Sequence, residues 1–263
     1  MTNKGFTLAE VLITLGVIGV VSALTLPTLI KNYQKKTWVE GLKVGVSILE
    51  QGFKKAMADD GVDDLRNTTL WQNCRGDSNS AWRDNCQPEL SKYFKGIKFE
   101  SVPDMQALGD NSNKITNTET CRKLVGKTNK WYYLNDKSKC RGWKNIAVTF
   151  ANGMRADMAI GAAFEEPAYA GMITALDVNG GKGPNTWGRD TFYLVILRDG
   201  RVVGQASRAH AEAYAKAHSK DFKTVYDEYK QDSEKCNRNA QEDGTNGVYC
   251  SGRVIDEGWV MNY

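Results

Sequence analysis

The sequence predicts an α+β chain. One long N-terminal helix, transmembrane in its first half, packs through its second half on an antiparallel sheet of about four strands, and the C-terminal region is bounded by a disulfide. Three observations predict this. Phe6 to Ile30 holds a single charge, Glu10, in 25 positions. Two turn pairs, Asn152-Gly153 and Asp199-Gly200, each separate two β-rich runs. Six cysteines, Cys74, Cys86, Cys121, Cys140, Cys236 and Cys250, all follow the apolar run.

Composition removes several alternatives. The chain has 263 residues, 41% hydrophobic and 25% charged, with 5 prolines, which excludes collagen-like, mucin-like and fully disordered classes. Lys and Arg number 35 against 31 Asp and Glu, a net charge of +4. Spread over this length, that charge lacks the concentrated basic field of dedicated nucleic-acid binders.

The elements follow in chain order. At about 1.5 Å rise per residue the apolar run reaches roughly 37 Å, enough for a hydrocarbon core of about 30 Å. The rest of the chain is polar and mixed, so the expected topology is one span followed by one large body. Trp38, Leu42, Val46, Leu49, Phe53 and Met57 recur at three- or four-residue steps, one stripe of an amphipathic helix that ends at Asp59-Asp60-Gly61. Gly41 and Gly45 on that helix read as close packing against a sheet rather than as a dimer motif. Residues 62 to 145 read as a loop-rich connector with short helices such as Pro88 to Tyr93.

Ile146 to Phe150 and Met154 to Ile160 flank Asn152-Gly153 as a hairpin. Thr191 to Leu197 and Arg201 to Gln205 flank Asp199-Gly200 as a second. Met172 to Val178 supplies a further strand. Ser207 to Glu234 reads as a surface helix beginning at Ser207, with His210 and His218 as solvated residues.

An even cysteine count beyond a membrane segment favours an oxidising compartment and disulfides. Zinc competes, but there is no C-x-x-C pair, and His210 and His218 stand far from a thiol pair. Closing the shortest loops is least demanding entropically, which pairs Cys74 with Cys86, Cys121 with Cys140 and Cys236 with Cys250. Each loop would contribute on the order of 3 kcal/mol.

The first residues do not follow an ordinary secretory signal, whose apolar stretch precedes a small-residue cleavage site. Met1-Thr2-Asn3-Lys4-Gly5 is followed at once by Phe6-Thr7-Leu8-Ala9-Glu10 and the apolar run. A short basic leader ending in Gly, then Phe, then Glu as the fifth residue, resembles the class III signal of type IV pilins and type II secretion pseudopilins. The resemblance covers about the first 30 residues. It implies cleavage between Gly5 and Phe6 by a prepilin peptidase, methylation of Phe6, and retention of the apolar helix. It implies a lipid bilayer as partner before assembly, then an inner-membrane assembly platform and other pilin or pseudopilin subunits.

The resemblance also implies a domain plan: a leader at 1–5, a transmembrane and filament-core helix at 6–30, its amphipathic continuation at 31–60, and a pilin-like globular domain outside the cytoplasm at 61–263. This is the lollipop architecture that pilins share. Localisation follows: a single-pass inner-membrane protein, then a cell-surface or periplasmic filament.

Glu10 is costly in lipid without a partner, and the resemblance implies that it pairs with the new α-amine of a neighbouring subunit and sets axial register. The competing reading is an interfacial Glu favoured by the helix dipole. Gly16, Gly19 and Pro27 weaken a helix; family members are thought to unwind between such residues, and a simple proline kink is the alternative. Lys31, Lys35 and Lys36 follow the span while Lys4 alone precedes it, which by charge bias alone favours a cytoplasmic body. The signal and the cysteines outweigh that rule.

Asp177-Val178-Asn179-Gly180-Gly181-Lys182-Gly183-Pro184-Asn185-Thr186-Trp187-Gly188-Arg189-Asp190 looks like a D-x-N-G…G-P-N…G-x-D loop of pseudopilin-like proteins. Asp177, Asn179 and Asp190 could offer oxygens to Ca²⁺. A loop held by its own Asn and Asp side chains is the preferred reading, because the spacing is not that of an EF-hand. The tail from Cys236 resembles the disulfide-bounded, outward-facing tail of type IV pilins.

No G-x-S-x-G, H-E-x-x-H, G-x-G-x-x-G or complete P-loop occurs, since Gly126-Lys127-Thr128 lacks the preceding glycine. The expectation is therefore a structural subunit and not an enzyme. A body reaching residue 263 is large for a major pilin and favours a minor or pseudopilin role. Two alternatives stand beside it: a binding module for adhesion or DNA capture on the same scaffold, and an anchored periplasmic protein that merely borrows the signal.

Overall fold

The structure is a computed structural model. It describes residues 5, 7–75, 80–99, 130–132, 140–142, 146–160, 169–180, 182–183, 185–234, 236 and 247–263. The chain divides into two compact units, Met1–Thr37 and Trp38–Tyr263.

Helix α1 runs without a break over Leu8–Asp60, 53 residues with Pro27 inside it. Its buried residues begin at Val39, and among the described residues none before that position is buried. From there Leu42, Val46, Leu49 and Phe53 lie on the stripe that the spacing predicts, in one core with the sheet.

Two short helices follow, α2 (Thr69–Cys74) and α3 (Ser80–Tyr93). The Thr68 hydroxyl caps α2 by accepting from Trp71 N at 3.1 Å, and a Cys74–Cys86 disulfide ties α2 to α3. The expected helix from Pro88 to Tyr93 is thus the end of a longer one. Pro88 sits inside α3 rather than at the first turn, where its missing donor would cost nothing. The disulfide and the buried Leu90 and Phe94 hold this segment on the core.

The sheet exceeds the expectation of about four strands. Its six antiparallel strands run in the order β1 (Lys98–Phe99), β4 (Ile146–Thr149), β5 (Arg155–Ile160), β6 (Tyr169–Asp177), β7 (Thr191–Leu197) and β8 (Val202–Gly204). A separate pair, β2 (Lys130–Tyr132) and β3 (Cys140–Gly142), forms a two-stranded sheet. β1 has two residues, too short for any alternation to register. Both turn pairs close hairpins as expected. Gly153 and Gly200 take φ of 87° and 78°, and the Asn152 and Asp199 side chains accept from Met154 N and Arg201 N at 3.1 Å each.

Alternate residues divide between two cores, because side chains in a strand point to opposite faces. Met158, Met172, Leu176, Phe192 and Leu194 share the α1 core. Ala159, Ile173, Val195, Leu197 and Val203 form a second core with Ala209 and Ala213. Gly41 and Gly45 let α1 close on β6: a Cβ at Gly41 would stand 2.8 Å from Val178 Cβ, and one at Gly45 3.2 Å from Leu176 Cδ1.

Residues 207–234 form two helices rather than one, α4 (Arg208–His218) and α5 (Phe222–Glu234). Ser207 caps α4 as expected. Ser219 takes a left-handed φ of 52°, and the Asp221 carboxylate then caps α5 by accepting from Thr224 N at 2.8 Å. His210 is not solvated but fully buried. Its Nδ1 accepts from Ala206 N at 3.1 Å, and the Tyr229 ring of α5 stands 4.8 Å away. The helix break folds α5 back over it. His218 is half-buried and stacked on Tyr214.

Burial pulls His210 down from 6.5 to about 3. The unfolded chain therefore takes a proton below pH about 6.5 that the native chain refuses until about 3, and stability falls as pH drops through that window. Between pH 7 and pH 5 the loss attributable to His210 is about 2 kcal/mol. Urea midpoints at the two pH values, compared with those of His210→Asn, check this; equal pH dependence in both chains would contradict it.

The tail carries α6 (Cys250–Asp256), joined to Cys236 by a disulfide, and runs on to Tyr263. The pairing expected for Cys121 lies outside the described residues.

Candidate functional site

Sequence places the functional residues at the start of α1. Gly5 is exposed, and a Cβ there would meet nothing within 4 Å. Phe6 lies outside the described residues. Thr7 and Glu10 form a closed ring at the first turn. Glu10 Oε2 accepts from Thr7 N at 2.8 Å and from Thr7 Oγ1 at 2.7 Å, while Glu10 N donates to Thr7 Oγ1 at 3.3 Å. This is a capping box, in which two orphan amides of the helix start are satisfied reciprocally. The Thr-x-x-Glu spacing was available to sequence reasoning as a helix start and was missed because Glu10 was weighed only as a charge.

Gly16, Gly19 and Pro27 lie on the continuous α1, and a Cβ at either glycine would meet nothing within 4 Å. Packing within the chain therefore does not require glycine at either position. The helix is also long and apolar enough to cross a membrane. Residues 1–26 match the family model of the prokaryotic N-terminal methylation motif.

These residues are the type IV pilin and pseudopilin signal. The motif is that of pilin-like precursors, a structural family that associates with prepilin peptidase and other pilins, and the match covers the first 26 of 263 residues. Long apolar helix, antiparallel sheet and C-terminal disulfide together fit the pilin-like fold. No curated protein and no solved structure matches the chain.

The second candidate, the loop joining β6 to β7, is built differently. Asp177 and Asp190 are 2% and 0% exposed. Asp190 is used by the loop itself: Oδ1 accepts from Thr186 N at 2.7 Å, and Oδ2 accepts from Asn185 N at 2.8 Å and Asn179 Nδ2 at 3.1 Å. Asp177 Oδ1 accepts from Asn179 N at 3.2 Å. Burial pushes both carboxyls above the usual range, and the charge of Asp190 pushes Asp177 further. Among the described residues no three His, Cys, Asp or Glu side chains cluster as metal ligands.

The loop also seats the C-terminus. Tyr263 Oη donates to Gly188 O at 2.7 Å, and a Cβ at Gly188 would stand 2.9 Å from Cys250 Cβ.

Proposed function

We propose that this chain is a structural subunit, a minor pilin or a pseudopilin, of a type IV pilus or type II secretion pseudopilus. It is cut after Gly5, methylated on Phe6, and assembled through its apolar helix, with the C-terminal body outside the cytoplasm. The observation that carries this reading is the methylation motif over residues 1–26, continued by an unbroken apolar helix.

Capping and assembly make successive use of one carboxylate. In the free chain the box orders the first turn of the helix up to Thr7, the second residue of the cleaved chain. In a filament core, where water is excluded, Glu10 meets the Phe6 α-amine of a neighbour, because a carboxylate in an apolar medium needs a charged or donating partner. Gly16 and Gly19 then permit close approach of helices between subunits, a role supported by their freedom from contacts within the chain. Local unwinding near Pro27 belongs to that assembled state.

The test is co-expression with a prepilin peptidase. Because Gly5 is uncrowded, Gly5→Leu leaves the fold intact while denying the peptidase its residue. The wild-type chain is expected to lose its first five residues and Gly5→Leu to keep them. Leader loss in both chains, or in neither, counts against processing at Gly5.

A further inference from the structure

Directly after the apolar run, α1 carries charge of one sign. Exposed large apolar side chains continue to Leu29 and Ile30, and Tyr33, 71% exposed, is the last before Val44. Lys31, Lys35 and Lys36 follow Ile30 on the unbroken helix, and Lys31 and Lys36 are exposed. No Asp or Glu stands between Glu10 and Glu40 in the chain, and Glu40 Oε1 accepts from Lys43 Nζ at 2.8 Å. Charge bias alone would place these lysines in the cytoplasm. Neither processing at Gly5 nor pairing at Glu10 makes use of them.

Depth in the bilayer supplies a use. A membrane about 40–45 Å thick around a hydrocarbon core of about 30 Å has headgroup layers of roughly 5–7 Å on each side. From Lys31 to Lys36 the helix rises about 7.5 Å, and at 3.6 residues per turn the three lysines lie within an arc of about 140°. With Ile30 at the edge of the hydrocarbon, all three stand at headgroup level on one side of α1, and their long stems let the ammonium groups adjust to the phosphates. Tyr33 lies among them, and a tyrosine ring is favoured at this interface. A zwitterionic lipid carries its own cation beside the phosphate, whereas an anionic lipid leaves the phosphate charge unbalanced and attracts lysine more strongly. An acidic protein face could meet the same charges only by displacing lipid from the headgroup layer.

We propose that Lys31, Lys35 and Lys36 form a basic collar that binds the headgroups of anionic phospholipids, and that this contact holds α1 at a fixed depth before assembly. The choice of leaflet rests on the reading that the body lies outside the cytoplasm, which makes it the outer leaflet of the inner membrane. The preference for anionic lipid does not depend on orientation.

The experiment reconstitutes the full chain in phosphatidylcholine vesicles with a trace of spin-labelled phosphatidylglycerol or spin-labelled phosphatidylcholine. The fraction of motionally restricted probe gives the relative association of each lipid with the helix. At low salt, phosphatidylglycerol is expected to associate about fivefold more strongly, the effect of about one lysine contact at a charged surface. The preference should fall towards equality in about 1 M NaCl, where the screening length is about 3 Å. The triple variant Lys31→Gln, Lys35→Gln, Lys36→Gln is expected to lose it, and the corresponding triple Arg variant to keep it. Lys54→Gln, an exposed lysine 24 positions beyond Ile30, should leave it unchanged. Equal association of the two probes with the wild-type chain overturns the proposal, as does a preference that survives the triple Gln substitution. Inorganic phosphate that abolishes the preference at an ionic strength where NaCl does not would assign the collar to a free anion and overturn the lipid assignment. A chain that prefers phosphatidylglycerol yet keeps its leader fails the processing reading alone, and a processed chain without the preference fails this one alone.

Discussion

Glu10→Gln is expected to reach the membrane and lose its leader, yet fail to enter filaments. Glutamine serves at the fourth position of a capping box, so the bonds that Glu10 makes to Thr7 N and Thr7 Oγ1 have a neutral replacement. What the substitution removes is the charge. In an apolar filament core the neighbour's α-amine would be left without its counter-ion, and removing one partner of a buried pair costs about 3–5 kcal/mol. At 1.4 kcal/mol per factor of ten, incorporation falls at least about a hundredfold. Glu10→Ala loses the cap as well and is expected to assemble no better. The measurement is the amount of subunit in the sheared-surface fraction relative to the membrane fraction. If the Gln chain assembles as well as wild type while the Ala chain does not, Glu10 acts as a cap and the charge-pairing account fails.

The second large effect belongs to the body. Gly252, in α6, lies against the turn that follows β8. A Cβ there would stand 2.6 Å from Ser207 N and 2.7 Å from the Ala206 carbonyl carbon. Both are backbone atoms that cannot swing aside, so Gly252→Ala must lift α6 from the turn. That displacement breaks the bonds of the neighbouring Ser251 hydroxyl, which accepts from Gln205 N at 3.0 Å and donates to Tyr193 O. Overpacking and the stranded polar groups together cost about 3–5 kcal/mol. Tm falls by roughly 10 °C or more. Gly183→Ala is the control, since its Cβ would meet nothing within 4 Å, and its Tm should match wild type. A Gly252→Ala chain with unchanged Tm would contradict the packing of α6 on the sheet.

Long periodic signals were legible before the structure. The apolar run, the stripe from Trp38 to Met57 and the two glycine turns each repeat one physical requirement several times, so the order of helix and hairpins could be read from them. The edge strand Lys98–Phe99 could not, since two residues carry no period. The helix break at Ser219 rests on one left-handed residue and one capping aspartate, Asp221, inside a stretch whose composition favours helix throughout. That missed break also hid His210, because only the folded-back α5 brings Tyr229 over its ring. At the start of the chain the methylation motif was legible because it is a local string, which needs no tertiary contact to be read. The meeting of Asp190 with the Asn185 and Thr186 amides was not, because it depends on how the loop closes and not on spacing alone. Sequence favoured a loop held by its own Asn and Asp side chains, and Asp190 is used in that way, its two oxygens taken by backbone and Asn179 donors.

The central claim is a processed subunit assembled through its first helix. The most direct measurement is the intact mass and N-terminal sequence of the chain from native membrane and sheared-surface fractions. The account predicts a chain in the sheared fraction that begins at methylated Phe6. A chain that keeps Met1 and stays wholly in the membrane would contradict it and leave an uncleaved anchor in its place.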